Sequence, residues 1–495
     1  MNRMGALLAA LLVLALGPLA AEAQVRLEGG EGERALDPVR ALLERDDYIV
    51  LARDTTFGPD VRIESDVVVL DASVRLEGVM AGDVAILGPQ GALFVRPGAR
   101  IGETVYAVGG IAVVSGLADP VDLREIYVGA SEVERLPDGS YLVRIETAPP
   151  PPFISLPGLF GLWLPTYDRV DGLSVPVLAT LNPLCRIEGP EVEGRLTFRT
   201  ARGALDGGLV ASQRVGAFDI EATVERTTET EERWGRADLS NTGTALFFGS
   251  DPREYYRTDR AAVRAGLREG IALGREELRL TPFLEARHSR DRSLPTASPW
   301  SLFGTLDRPN APIDDGTITS FVPGLELNWL GGASRFRGVG TVEHAVGGSA
   351  TPGFTLGIVD GRWSMDALFD HILSIRIHAR RPLGDAAAPR QRWTQLGGSA
   401  TLPTLAVGEM RGDRVSFVQS VYRVPLGVTV PIAGSPELRL LHAAGSARAT
   451  GEPSRDWEQN LGVGVRLLFL TVDGWVNPAD ADLQIRVLFG LTSPF

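Results

Sequence analysis

From Asp171 to the carboxyl terminus the chain runs in stretches of about ten residues that alternate apolar with polar side chains, parted by clusters of Gly, Pro, Asn and Asp. A period of two puts one set of side chains on each face of a strand. After Gln24 no apolar run approaches the ~20 residues that a membrane-spanning helix requires, so any passage through lipid must be made by strands. Strands in lipid have no water to satisfy their backbone groups, and only a closed barrel leaves none of them open.

Four stretches are especially clean. Phe218, Ile220, Ala222 and Val224 oppose Asp219, Glu221, Thr223 and Glu225. Ala261, Val263, Ala265 and Leu267 oppose Arg264, Gly266 and Arg268. Leu373, Ile375, Ile377 and Ala379 oppose Ser374, Arg376, His378 and Arg380. Leu461, Val463, Val465, Leu467 and Phe469 oppose Gly462, Gly464 and Arg466, a face that Leu468 and Leu470 spoil. An arginine against lipid costs roughly 2 to 4 kcal/mol near the midplane, so Arg264, Arg268, Arg376 and Arg380 are expected to face a lumen.

A soluble sandwich also alternates. The two ends of the chain favour the membrane. Ile485, Val487, Phe489 and Leu491 share one side of a final strand that stops on Phe495, the kind of aromatic-ended segment that serves as an assembly signal in outer-membrane barrels. At the other end, residues 1–23 carry Arg3, an apolar run, Gly17-Pro18 and a small-x-small site at Ala21-Glu22-Ala23, the pattern of a secretory signal. The expectation is an antiparallel transmembrane barrel of about 14 to 16 strands over residues 167–495, with Trp329, Trp363, Trp393 and Trp475 as interfacial girdles.

The net charge of -13 argues against nucleic acid as a partner. All 49 basic residues are arginine. A lone Cys185 excludes an internal disulfide framework and any cysteine-rich metal site. Five histidines, His288, His344, His371, His378 and His442, are scattered without ligand spacing. No metal or cofactor is expected. The chain also lacks a Gly-x-Ser-x-Gly elbow, a phosphate loop and a dinucleotide fingerprint, so it is not expected to be an enzyme. A barrel lipase with Ser and His on its outer wall needs no local motif and stays open as an alternative.

The amino-terminal third reads differently. Ser65-Asp66-Val67-Val68-Val69-Leu70, Gly82-Asp83-Val84-Ala85-Ile86-Leu87 and Gly102-Glu103-Thr104-Val105-Tyr106-Ala107 repeat, with shorter apolar pieces such as Val74-Arg75-Leu76 and Leu93-Phe94-Val95 between them. Short strands at a steady period with glycine corners are the sign of a β-solenoid, with an ordinary β-sandwich as the alternative. The pattern resembles the bactofilin-like β-helices of bacterial polymer-forming scaffolds, over residues 48–147. In residues 24–47, Leu36, Val39, Leu42 and Leu43 stand at helical spacing and suit a short amphipathic cap. Without a cap, the solenoid ends would be surfaces for self-association. Residues 148–166 form a linker: four prolines, Pro149 to Pro152, then an apolar stretch with Phe153, Phe160 and Trp163 that suits either the membrane rim or packing on the solenoid.

Within the barrel region, three motifs resemble the bacterial surface antigen superfamily, which comprises outer-membrane protein assembly factors and their relatives. Tyr167-Asp168-Arg169-Val170-Asp171-Gly172-Leu173 resembles the family's "NRVEGL" lead-in to the barrel, and Phe248-Gly249-Ser250-Asp251-Pro252-Arg253-Glu254-Tyr255-Tyr256 an acidic, aromatic external stretch. Gly408-Glu409-Met410-Arg411-Gly412-Asp413, followed by Tyr422-Arg423-Val424-Pro425-Leu426, resembles a loop tip that folds back into the lumen and the strand after it. The resemblance implies that Arg411 pairs with an acidic residue on the inner wall. Asp413 departs from the family's usual aromatic, and the solenoid stands where the family carries its periplasmic binding domains. An adhesive Arg-Gly-Asp tripeptide is a further reading of residues 411–413.

The function that the resemblance implies is assembly, insertion or export of proteins or lipids at the outer membrane, with the amino-terminal domain in the periplasm. The expected partners are outer-membrane lipids, the barrel assembly machinery during biogenesis, and client outer-membrane proteins or lipids. The alternatives are a passive pore and a membrane-anchored envelope scaffold.

Overall fold

The computed structural model describes residues 24–30, 34–45, 47–96, 99–114, 121–126, 128–146, 152–185, 189–268, 270–273, 278–331, 334–367, 371–428, 435–467, 470–480 and 485–491. The fold is all-β and divides into two compact units that part within the proline run.

The first unit is a β-solenoid with three parallel sheets. One face stacks Ile49–Leu51, Val67–Leu70, Val84–Leu87, Thr104–Val108 and Asp122–Ile126; the others stack Thr55–Phe57, Ser73–Leu76, Ala92–Val95 and Ile111–Val114, and Arg62–Ile63, Val79–Met80 and Arg100–Ile101. Register carries Val67 onto Val84 and Val84 onto Val105, so one coil repeats about the same apolar positions as the next. Val67, Val69, Val84, Ile86, Val105 and Ala107 point into the solenoid core. Their alternates Val68, Leu70, Ala85, Leu87, Tyr106 and Val108 are also buried, under Val25, Leu36, Val39, Leu42, Val143 and Ile145. Burial on both faces explains why these strands read as unbroken apolar runs.

Helix α1 (Asp37–Leu43) is therefore a lateral cover and not the end cap expected from its spacing. The corners are tied by aspartates: Asp66 accepts the Asp83 N–H at 2.8 Å, Asp83 that of Thr104 at 3.0 Å, and Asp71 that of Gln90 at 3.0 Å. Each carboxylate satisfies a donor of the following coil that the turn would otherwise leave unpaired.

The second unit is one antiparallel sheet of eighteen hydrogen-bonded segments. Ile154–Ser155 and Thr166–Asp168 are two pieces of one interrupted strand, β1. The rest are β2 (Gly172–Leu181), β3 (Glu191–Arg199), β4 (Ala204–Val215), β5 (Phe218–Glu229), β6 (Tyr256–Leu267, prolonged past a bulge by Ile271–Leu273), β7 (Leu278–Ser293), β8 (Gly316–Gly331), β9 (Ser334–Gly347), β10 (Phe354–Asp366), β11 (Ile372–Pro382), β12 (Arg414–Pro425), β13 (Glu437–Arg448), β14 (Glu458–Leu467), β15 (Leu470–Val476) and β16 (Arg486–Leu491). Among the described residues, sixteen strands of consecutive antiparallel neighbours make the barrel wall.

Its polarity is inverted relative to a water-soluble protein. Leu196, Phe198, Leu209, Val224, Val263, Leu461 and Val463 are exposed, whereas Arg199, Asp206, Thr258, Asp291, Glu343 and Arg380 are buried. That is the arrangement a lipid exterior demands. Trp329, Phe336 and Trp363 stand opposite one another across β8, β9 and β10, as a girdle would. Trp393 and Trp475 do not join it: Trp393 belongs to a loop, its indole N–H bonded to the Ala388 carbonyl, and Trp475 is buried in an apolar cluster inside the barrel.

Connections at one end of the barrel are short. At the other end lie loop 3 (230–255, carrying helix α2, Asp238–Phe248), loop 4 (294–315) and loop 6 (383–413).

Candidate functional site

Loops 3 and 6 fold into the lumen and meet the charges that the wall presents. Arg376 on β11 donates to the carbonyls of Trp234 at 3.1 Å and Gly235 at 2.7 Å in loop 3, and to that of Ala400 at 3.1 Å in loop 6. Arg380 donates to the Arg392 carbonyl and to Glu231 at 2.7 Å. Between them His378 lies flat under the Trp234 indole, ring centres 3.9 Å apart, and its Nδ1 shares a hydrogen bond with Asp360 at 2.7 Å. Arg264 and Arg268 sit on β6 and just beyond it, nearer the short-turn end. Arg264 pairs with Glu326 at 2.7 Å over the Phe283 ring, and Arg268 lies 3.8 Å from Asp219.

A further lumen cation, Arg392, lies on the short helical turn Arg390–Arg392 of loop 6. Its Nε reaches Glu343 at 2.9 Å, its Nη1 donates to the Tyr256 hydroxyl at 3.2 Å, and Glu231 and Asp291 stand 3.7 and 3.8 Å away. Burial alone would weaken its hold on the proton, but Glu343 and the other acidic neighbours keep it firmly charged. Burial likewise pushes the Glu231 carboxyl up, and Arg380 with Arg392 more than reverses this. Beside this cluster lies a polar cavity of about 240 Å³, lined in part by Glu229, Thr258, Arg260 and Ser289.

Two other loop 3 groups are perturbed. Glu232, buried near Glu254, is raised to about 7, chiefly by burial. Arg236 is lowered to about 10 by burial and the Arg253 guanidinium beside it.

Loop 6 returns to the wall as a small hairpin in which Met410–Gly412 pairs with Thr394–Leu396. Leu396, Leu402, Leu405 and Met410 pack on Val415, Phe417, Val421, Leu441, Ala443 and Ala447. Toward the loop end the inward positions of β12 and β13 are thus apolar, while Arg423 and Arg439 keep the other end of these rows charged. Asp413 is fully buried and anchors the loop's return by accepting the Ala388 N–H at 2.9 Å and the Thr450 N–H at 2.7 Å. Its burial removes the Arg-Gly-Asp tripeptide from reach of any adhesive partner. Arg411 has its guanidinium 5.8 Å from the centre of the Trp393 ring and, among the described residues, no carboxylate partner. The inward, carboxylate-bound arginine of this loop is Arg392. The apolar inner rows of β12 and β13 are the sequence signal that could have located its seat.

The first and last strands differ from the rest of the wall. β1 pairs with β2 at Ile154–Leu181 and at Tyr167–Leu173; between these the regular ladder is interrupted by a turn closed by the Leu159 and Leu162 backbones and is kept only by an isolated bridge from Leu162 to Val177. The Leu178 N–H reaches the Gly161 carbonyl. Pro176, two residues earlier on the same edge of β2, has no N–H to offer. The turn projects Leu159 and Phe160, 68% and 85% exposed. On the far rim β16 pairs with β15, and among the described residues no ladder joins it to β1. Instead the Tyr167 N–H donates to the Thr242 hydroxyl of α2 at 3.0 Å, and α2 also lies against β16. Ile485 and Val487 are exposed; the side chains of Phe489 and Leu491, and all of Phe495, lie outside the described residues.

The turn between β1 and β2 is clamped from above. Arg169, wholly buried, reaches Glu254 at 2.7 Å, the Asn310 side chain at 3.1 Å and the carbonyls of Asp251, Arg253 and Arg308, joining loops 3 and 4. The motif read as a lead-in to the barrel is therefore the first turn at the long-loop end.

Neither a protein-family model nor a curated protein matches this chain. Among solved structures it is similar to CdiB from Acinetobacter baumannii (11% identity, 73% of this chain, 64% of that one, TM-score 0.41). It is also similar to CdiB from Escherichia coli (12%, 73% and 67%, 0.41) and to BamA from Haemophilus ducreyi lacking POTRA domains 1-3 (10%, 74% and 75%, 0.45). The match spans 64% of the length of the A. baumannii CdiB chain, less than two thirds.

Proposed function

We propose that this chain is an outer-membrane protein that assembles, inserts or exports client proteins or lipids, and that the work is done at the seam between β1 and β16. The observation that carries this reading is a barrel whose first and last strands share no ladder among the described residues, while its lumen is stopped by its own loops. A β-strand edge left without a partner is a template for another strand. A passive pore has less support, because Arg376, Arg380 and Arg392 bind loop groups and the charged cavity beside them is small for an aqueous channel.

In this reading the short turns and the two chain termini of the barrel, near Ile154 and Leu491, face the periplasm, where the solenoid resides, and loops 3, 4 and 6 face outward. Client proteins and membrane lipids are then its partners. The test is a reversible lock. With Cys185 replaced by Ser, cysteines are placed at Thr166 and Arg486 and joined by a short bifunctional reagent in cells that depend on the protein. Arrested growth and an altered outer-membrane protein or lipid content, restored by cleaving the linker, are expected. Unchanged growth and envelope composition with the lock in place would refute the proposal.

A further inference from the structure

Helix α2 does not behave as an ordinary external loop. It lies against β1 at Thr166–Asp168 and against β16 at Arg486–Leu491, so it stands where a closing ladder would run. The Tyr167 N–H, an edge group that a neighbouring strand would accept, is taken by the Thr242 hydroxyl.

The helix is buried along its middle and exposed at both ends. Ser240, Asn241 and Thr244 are buried in its middle, where Asn241 donates to Asp251 and Tyr255 at 3.2 Å and Thr244 accepts from Arg236 at 2.8 Å. Leu239, Phe247 and Phe248 are exposed. A strip from loop 4 extends the exposed C-terminal end of the helix: the N–H groups of Leu302 and Phe303 donate to the carbonyls of Leu246 and Phe247 at 2.9 Å. Gly249 ends the helix at φ +63°, and a Cβ there would come within 2.5 Å of the Thr305 nitrogen, so helix and strip are fitted as one piece. The strip adds Trp300, 63% exposed, and Phe303, 74% exposed.

We infer that α2 with residues 300–306 is a detachable stopper of the seam, its exposed aromatic end seated against the bilayer and its place taken by an incoming β-strand. The Arg169 clamp holds the residues that flank the piece, 251–254 and 308–310, whereas the piece itself is lightly attached. Toward β1 the attachment consists of one hydroxyl bond, the Tyr167 hydroxyl on the Trp300 carbonyl, and a small apolar contact of Tyr167, Ala245, Leu246 and Leu306. A strand ladder would add a bond at every second residue and bind the edge more firmly. The inference rests on the seam reading above, and its test is independent of cell growth.

The full-length protein, with Cys185 replaced by Ser, is spin-labelled at Phe247→Cys or Phe303→Cys in phosphatidylcholine vesicles. Label collisions with lipid-soluble oxygen and with a water-soluble nickel chelate are compared with those at Val224→Cys on the wall and Asp138→Cys in an exposed turn of the first unit. Both labels are expected to resemble Val224; values like those at Asp138 overturn the bilayer seat. A synthetic peptide copying residues 483–495 is then added as the competing strand. A shift of both labels toward the chelate supports displacement, and unchanged collisions at saturating peptide overturn it. If the stopper passes while the seam lock leaves cells unaffected, the client function fails and the stopper stands.

Discussion

Arg392 holds the plug through charges that cannot easily be left alone. Replacing it with Met keeps much of its volume and removes the cation from among Glu343 and Asp291, each 1% exposed, and Glu231. Deleting one partner of a buried ion pair costs about 3 to 5 kcal/mol, because the other charge stays desolvated. Here Arg287 still holds Glu343 at 2.6 Å and Arg380 still holds Glu231 at 2.7 Å, so the lower end, about 3 kcal/mol, is expected. The wall ladders are untouched, and the cost falls on the seating of loop 6. At 1.36 kcal/mol per decade this is a change of about a hundredfold in the ratio of seated to unseated plug. In planar bilayers Arg392→Met should show frequent openings that the parent lacks, with the unheated barrel running unchanged on gels. Adding Glu343→Gln, which removes the orphaned charge, should restore most of the quiet baseline. An Arg392→Met trace like the parent's, or a double variant as open as the single one, would refute the assignment of plug stability to this cluster.

Three further outcomes follow from specific contacts. Gly412→Ala should unseat the return of loop 6 by at least about 2 kcal/mol, since a Cβ there would fall 1.9 Å from the Arg448 carbonyl oxygen; protease cleavage between residues 383 and 413 reports it. Glu232, raised by burial from 4.5 to about 7, favours the seated loop fully below about pH 4.5, and this contribution is lost as pH rises through about 7. Its charge then costs up to about 3 kcal/mol in alkali, so Glu232→Gln should flatten the rise in channel openings between pH 5.5 and 8.5, and a variant as pH-sensitive as the parent counts against this. In the solenoid, Asp83→Ala orphans the Thr104 N–H and should cost about 1 to 3 kcal/mol in thermal melts. Asp83→Asn keeps an acceptor. Because burial and Asp66 hold the Asp83 carboxyl above its usual range, the Asn variant should match the parent in acid and equal or exceed it at neutral pH.

How much of this was legible in the chain differs from part to part. On β11 the rows Ser374, Arg376, His378, Arg380 and Leu373, Ile375, Ile377, Ala379 distinguish inside from outside by themselves, because arginine is costly in lipid and the side-chain period of a strand is two. Stacked triplets such as Val67-Val68-Val69 marked the solenoid in the same way. What the charges on β11 bind was not legible. Trp234 and His378, or Arg392 and Glu343, are far apart in sequence and meet only after sixteen strands have closed around the loops. Trp393 and Trp475, assigned to a girdle, failed for that reason: an aromatic near a strand end serves lipid or plug equally well until its neighbours are known. Helix α2 escaped notice because its Ser, Asn and Thr carry little helical signal, and its apolar residues make sense only beside a seam.

The sense of each strand face was settled by local periodicity, which depends on near neighbours in the chain; the first strand was not, since Ile154–Ser155, read as linker, pairs with β2. The occupied lumen, the lateral cover on the solenoid and the helix between β1 and β16 were settled by closure. A side chain in a loop has no fixed environment until the wall opposite it exists, and a buried charge selects its partner from whatever that wall then presents.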